Sequence, residues 1–166
     1  MKISALAGVL ICFLAAPEST KCQEFKGLQN IGILIEDLDK EAANIGLTSE
    51  SLRDQILVAL KRDIPKLKID SSPFPLRSYV HLQITSAPIL TYAGQVALGD
   101  AAFVLMSLER PTKIIGDDGT EYVAAVSAWK TGVILHDSFA EMPSSIREKI
   151  SEAMTRLAAE YYKQNP

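Results

Sequence analysis

Two apolar runs separated by an Asp-Gly turn decide most of what this chain can become. Ala101 to Leu108 and Tyr122 to Leu135 flank a turn that contains Asp117, Asp118 and Gly119. An Asp-Gly pair between apolar runs is a strong short-range signal for an antiparallel hairpin, and it predicts a type I′ turn with positive φ at both central residues. Pro111 removes a backbone donor, so pairing should falter there or the strand should lie at an edge. The apolar face of such a hairpin needs a cover, and the chain supplies one. Ile146, Ile150, Met154, Leu157, Ala158 and Tyr161 recur at three and four residues, an apolar stripe along one helix face. Ser145 and Glu148 read as an S-x-x-E capping box at its start.

Upstream, Asn30 to Leu38 holds Ile31, Ile33, Leu34 and Ile35, the pattern of a central strand covered on at least one face. Thr48 is placed to cap a helix whose apolar face is Leu52, Ile56, Leu57 and Leu60 and which ends before Pro65. Leu67 to Asp70 reads as a brief strand. In Tyr79 to Thr85, apolar Val80, Leu82 and Ile84 alternate with Tyr79, His81, Gln83 and Thr85, which marks a half-buried strand whose second face meets water. Ser86 to Asp100 contains Pro88, Gly94 and Gly99 among apolar residues and fits either a loop or a ragged hairpin. Together these predict an α+β domain: a mainly antiparallel sheet of four to five strands with two helices on one face, in the order β-α-β-β-β-β-α.

The first sixteen residues, MKISALAGVLICFLAA, join one lysine to an unbroken apolar run. That run is shorter than the roughly 20 residues a membrane span needs and has the form of a cleaved export signal. The expected organisation is a signal peptide over 1–19, a flexible leader over 20–27 and one domain over 28–166, in the periplasm or outside the cell. Membrane association is expected only if the signal stays attached. Neither Cys12 nor Cys22 follows the small residue that a lipoprotein signal requires. With Cys12 removed alongside the signal, Cys22 is left as a lone thiol able to form an intermolecular disulfide.

A net charge of −3 and the lack of any Lys/Arg run with interleaved aromatics argue against nucleic acid as a partner. Glu36, Asp37, Asp39 and Glu41 crowd four carboxylates into six residues, yet their spacing matches no calcium loop, and a solvated strand exit is the better reading. His81 and His136 lie in different predicted strands. His136, Asp137 and Ser138 carry the residue types of a hydrolase triad, but neighbours on an extended chain point to opposite faces. No G-x-S-x-G elbow, phosphate loop or H-E-x-x-H is present, so no catalytic, metal or cofactor residues are assigned, and an enzyme is disfavoured. Trp129 reads as a core residue beside Val123, Ala125 and Ser127.

The matching pieces are a strand ending in Glu36, Asp37 and Leu38; Gly46, Leu47 and Thr48 opening a helix that runs to Asp63, Ile64 and Pro65; Tyr79 and Val80; the run Trp129, Lys130, Thr131 and Gly132; and a final helix ending at Tyr161 or Tyr162 and Asn165-Pro166. On these residues the chain resembles a set of uncharacterised exported bacterial proteins of about this length. It departs from them at Ala128, where a threonine is expected, and in the apolar insertion of Ser86 to Asp100. The resemblance implies an α+β domain with an envelope address, and no reaction. The element order is also similar to that of envelope accessory domains, such as the lipoprotein activators of cell-wall synthases and the N-terminal domain of the Tol-system propeller protein, an analogy of fold alone.

Two functional classes follow. The leading one is a non-catalytic binding or accessory domain that touches another envelope protein and uses no cofactor. Its candidate interaction surface comprises Tyr79, His81, Gln83, Leu90, Tyr92 and Trp129. The rival is a small-ligand carrier or enzyme with a site near Tyr79, His81 and Gln83, roofed by Leu90, Tyr92, Val96 and Leu98. The export reading predicts that N-terminal sequencing of the protein recovered from the envelope starts beyond Ala16 or Ser19. Recovery of an intact Met1 contradicts it.

Overall fold

The computed structural model describes residues 25–70, 77–90 and 97–166. The expected signal peptide and Cys22 lie outside the described residues. The elements run β1 (Asn30–Ile35), α1 (Lys40–Asn44), α2 (Ser49–Asp63), β2 (Lys68–Ile69), β3 (Tyr79–Leu90), β4 (Ala97–Ile115), β5 (Glu121–Asp137) and α3 (Met142–Gln164). They form a five-stranded sheet in the order β2-β1-β3-β4-β5. β1 is parallel to both of its neighbours, whereas β3, β4 and β5 form an antiparallel meander. The parallel pairings follow from the α1–α2 crossover, because parallel strands need a long connection and antiparallel ones do not. The α+β architecture expected from the sequence is present, with one helix more than expected.

Alternation carries the core. Ile31 and Ile33 of β1, Val80, Leu82 and Ile84 of β3, and Ala102, Val104, Met106 and Leu108 of β4 are buried on one sheet face. Against them pack Leu52, Ile56 and Leu60 of α2 and Ile146, Ile150, Met154, Leu157 and Tyr161 of α3. Fully burying a side chain of this size contributes about 1.5–3 kcal/mol, which is why the helical stripe read from the sequence finds its place.

Helix ends are set by local chemistry. Thr48 Oγ1 accepts from the Ser51 N–H at 3.1 Å, and α2 stops at Asp63, ahead of Pro65. The short helix α1 escaped the sequence reading. Its N-cap, Asp39, accepts from the Ala42 N–H at 2.7 Å and also from the Ser86 N–H at 2.7 Å and the Ser86 hydroxyl at 3.2 Å. One carboxylate thus caps α1 and ties it to β3. β1 ends at Ile35, not Leu38, because the chain leaves the sheet to reach this cap. The Ser145–Glu148 capping box does not form. α3 opens earlier, at Met142, with Pro143 in its first turn, and the Ser145 hydroxyl donates to Asp137 Oδ2 at 2.7 Å.

Of Ser86 to Asp100, the described residues are strand, and 91–96 lie outside the described residues. β3 runs to Leu90 and β4 begins at Ala97, with Leu90 opposite Ala97. The β4–β5 turn is also not type I′. Among the described residues only glycines have positive φ, here Gly119 at +78°. The Gly119 N–H donates to Gly116 O, and the Gly116 N–H to Thr120 O. This is the three-residue loop that ends in a left-handed glycine. At the other end of the fold, Phe25 is buried, its N–H donates to Gln164 Oε1 at 2.9 Å, and Asn165 Nδ2 donates to Phe25 O at 2.9 Å. The expected loose leader over 20–27 is therefore tied to the C-terminus from Phe25 onward.

Asp39→Ala removes a cap and leaves the Ser86 N–H of β3 without its acceptor. It should cost about 2–3 kcal/mol in urea unfolding, against about 1 kcal/mol for Thr48→Ala, which loses a cap alone. Equal losses would show that Asp39 does not bind α1 to the sheet.

Candidate interaction surface

The sheet face turned away from the helices carries the residues singled out in β3. In register across it lie Tyr79 with Glu109, His81 with Ser107 and Lys130, Gln83 with Leu105 and Gly132, and Thr85 with Phe103 and Ile134. The structure brings Tyr79, His81 and Gln83 together here, but it exposes them less than alternation suggests. Tyr79 is only 4 % exposed, His81 and Gln83 are half-buried, and only Thr85 is open. The reason is a polar belt. Gly32 of β1 stands beside Tyr79, and the Arg77 side chain lies across Gly32 in the space a Cβ would occupy. Arg77 in turn donates to the Asp70 carbonyl. His81 Nε2 lies 2.9 Å from Glu36 Oε1, an ion pair when the imidazole is protonated. The Ser107 hydroxyl donates to Glu109 Oε1 at 2.6 Å. Burial first, and the Glu109 charge second, push the Tyr79 phenol above its ordinary value of 10.0.

This belt makes poor catalytic machinery. The hydroxyl opposite His81, that of Ser107, is committed to Glu109, and among the described residues His81 does not line the clefts of about 610 and 500 Å³. The other hydrolase-like run is also not a relay. The Ser145 hydroxyl, then the Ser138 N–H, hold the Asp137 carboxyl below the usual carboxylate range. Of the four crowded carboxylates, Asp39 is consumed as a cap and Glu36 faces His81. Among the described residues no three His, Cys, Asp or Glu side chains gather as a metal site.

Farther along the face the surface turns apolar. Gly132 leaves room for Leu105 and Phe103 to lean over β5, and Ile134, opposite Phe103, is 75 % exposed. Leu90 is exposed at the end of β3, while Tyr92 and Val96 lie outside the described residues. Trp129 is half-buried and packs against the core from β5. Its expected companions do not share its face. The ladder slips by one between Leu108 and Glu109, with Trp129 opposite Leu108 and Ser127 opposite Glu109. That bulge switches Val123, Ala125 and Ser127 to the other side.

Another exposed apolar feature was not singled out from the sequence. β3 reaches only as far as Glu109, so from Arg110 to Ile115 β4 pairs with β5 alone. The result is a two-stranded arm that also explains how Pro111 is accommodated, since a strand with one ladder neighbour can lack a donor on its open side. Ile114, Tyr122 and Val126 are exposed on one face of the arm, Ile115 and Val123 on the other, and Ile115 is 70 % exposed. The tip holds Asp117 and Asp118, and a Lys113–Glu121 ion pair of 2.8 Å crosses the ribbon. The sequence signal for it was the apolar character of both alternating sets from Ile114 to Val126, which suits a strand covered on both faces.

The raised Tyr79 phenol favours the folded state at every pH below about 10, and this contribution is lost as pH climbs through the higher folded value. In a spectrophotometric titration, Tyr79→Phe should therefore delete a tyrosine that ionises late. Loss of an ordinary, early-titrating tyrosine would contradict the burial.

No protein-family model matches the sequence, and no curated protein matches it. Among solved structures, the chain is similar to a minor lipoprotein from Acinetobacter baumannii, at 10% identity and a TM-score of 0.35, over 80% of this chain and 91% of that one. It is similar to a Helicobacter pylori protein described as a neuraminyllactose-binding hemagglutinin homolog, at 11% identity and a TM-score of 0.38, over 83% and 88% of the two chains. It is also similar to rare lipoprotein B from Shewanella oneidensis, at 8% identity and a TM-score of 0.27, over 81% and 92%. At TM-scores this low the likenesses carry no argument about fold or function.

Proposed function

We propose that this protein is an exported, non-catalytic contact domain of the cell envelope and that it grips a partner protein through the β4–β5 arm. One observation carries the proposal: a ribbon with exposed apolar side chains on both faces extends past the last residue that β3 supports. An isolated two-stranded hairpin is at best marginally stable in water, so this ribbon gains most from a second surface. The apolar leader read in the sequence supports the envelope address.

A protein suits the arm better than a lipid surface or a nucleic acid. A tip that begins with Asp117 and Asp118 would have to lead into a bilayer, where carboxylates are costly. The overall charge of −3 disfavours a phosphate backbone. The rival reading, a carrier or enzyme at Tyr79, His81 and Gln83, has less behind it, because Tyr79 is buried and the Ser107 hydroxyl opposite His81 is committed to Glu109. A half-buried Trp129 suits a supporting role behind the arm rather than a contact platform.

The test is photocrosslinking in intact cells, with the crosslinker placed at Ile115 or Tyr122 and, as control, at Val58, an exposed residue of α2. A defined adduct from both arm positions, none from Val58, and its loss in the Ile115→Ser, Tyr122→Ser double variant are expected. Equal adducts from all three sites, an adduct of two copies of this chain, or none at all would overturn the proposal.

A further inference from the structure

Independently of the arm, a second feature lies at the far end of the sheet, on the helix side. Asp100 occupies an inward position of β4, in the same alternating set as Ala102, Val104, Met106 and Leu108. Its side chain is 1 % exposed, its Oδ1 accepts from the Ala101 N–H at 3.0 Å, and its Oδ2 has no hydrogen-bond partner. A buried carboxylate oxygen without a donor is expensive, and folded proteins rarely keep one without a use. Burial first, then the charges of Asp39 and Glu41, raise the Asp100 carboxyl above the usual carboxylate value, while the Ala101 N–H and, more weakly, the Ala87 N–H pull the other way.

Asp100 forms part of the wall of an open cleft of about 610 Å³ between α1, the ends of β3 and β4, and the loop before α3, a size within the roughly 300–1,000 Å³ of small-molecule sites. Glu41 and Asn44 bring an acidic and an amide group from α1; Ile45, Pro88 and Phe139 supply apolar surface. Among the described residues the lining contains two carboxylates and no Lys, Arg or His. Across β5, Asp137 is opposite Asp100 in register, but its own carboxylate is engaged by Ser145 and Ser138. The charge of the cleft therefore has one sign, and an anionic ligand is disfavoured. A hard metal ion is disfavoured too, since it would take six or more oxygens where two carboxylates and an amide line the wall. What remains is an organic cation: an ammonium group donates to carboxylates, its alkyl chain lies on Ile45 and Pro88, and the half-exposed ring of Phe139 offers a π face.

We infer that the cleft lined by Glu41, Asp100 and Phe139 is a binding site for a primary alkylammonium group, carried either by a small free amine or by a lysine side chain of another polypeptide.

The experiment is a titration of the folded, isotope-labelled protein, followed by amide chemical shifts, with n-butylammonium chloride, with Nα-acetyl-lysine amide, and with n-butanol as the neutral match. The inference expects saturable shifts confined to residues 41–46, 100 and 139–140 with at least one of the two cations, and no saturation with butanol. Saturation by butylammonium alone indicates a free amine as the natural ligand, and saturation by the lysine derivative a polypeptide. Glu41→Gln and Asp100→Asn should each weaken binding by about tenfold, the scale of one lost charged hydrogen bond. Glu41 lies on the partly exposed side of α1, so its variant remains informative if Asp100→Asn perturbs the strand. Equal response to butanol and butylammonium, unaltered affinity in Glu41→Gln, or shifts that do not saturate with either cation would overturn the inference.

Discussion

The structure depends on a mismatch of lengths between one helix and one strand. α3 has 23 residues and spans about 35 Å at 1.5 Å per residue. β4 has 19 residues and reaches about 60 Å at roughly 3.3 Å per residue. A helix can seal an apolar sheet face only along its own length, and α2 is shorter still. The covered part of the β4–β5 ladder becomes the core, with Val104, Met106 and Leu108 facing Ile150, Met154 and Leu157. The uncovered part becomes the arm. The bulge between Leu108 and Glu109 falls where β3 also stops, so a break in register, the loss of a neighbouring strand and the end of the core coincide.

Polar groups divide in the same way. Within the covered region almost every charged side chain has a structural duty: Asp39 holds α1 to β3, Asp137 receives Ser145 and Ser138, Glu36 answers His81, and Glu109 takes the Ser107 hydroxyl. These commitments remove the residues that looked most like chemistry and leave the outer face near Tyr79 closed. Asp100 differs, an inward carboxylate whose Oδ2 has no hydrogen-bond partner, and on the outer face Arg77 Nε and His81 Nε2 lack one too. The arm and the Asp100 cleft lie at opposite ends of β4, so each can be altered without touching the other.

Much of the fold was legible because it rests on periodicity. The stripe from Ile146 to Tyr161, the Thr48 cap with its stop before Pro65, and the alternation of Val80, Leu82 and Ile84 each state their partner in advance: an apolar face must be buried. What was not legible depends on distant geometry. Asp39 ties α1 to β3 only because Ser86 is brought near enough to share it, and Ser145 abandons its capping box because Asp137 lies within reach. The Trp129 companions were misassigned because alternation was carried through a bulge that only the pairing with β4 reveals. The candidate surface was half legible. Tyr79, His81 and Gln83 do share a face, but their enclosure comes from Arg77 and Glu109, and the arm was hidden because an uncovered apolar strand and a buried one read alike. Asp100 carried a usable signal, an acid at an inward position of an apolar strand.

That β4 and β5 outrun the support of the rest of the fold is tested most directly by amide hydrogen exchange on the free protein. The account predicts strong protection at Met106, Leu108 and Thr131, a sharp drop beyond Glu109 and Ser127, and exchange orders of magnitude faster at Ile114, Tyr122 and Val123. Uniform protection along both strands would mean that the ribbon is stable on its own, and the argument that it is built to be covered by a partner would fail.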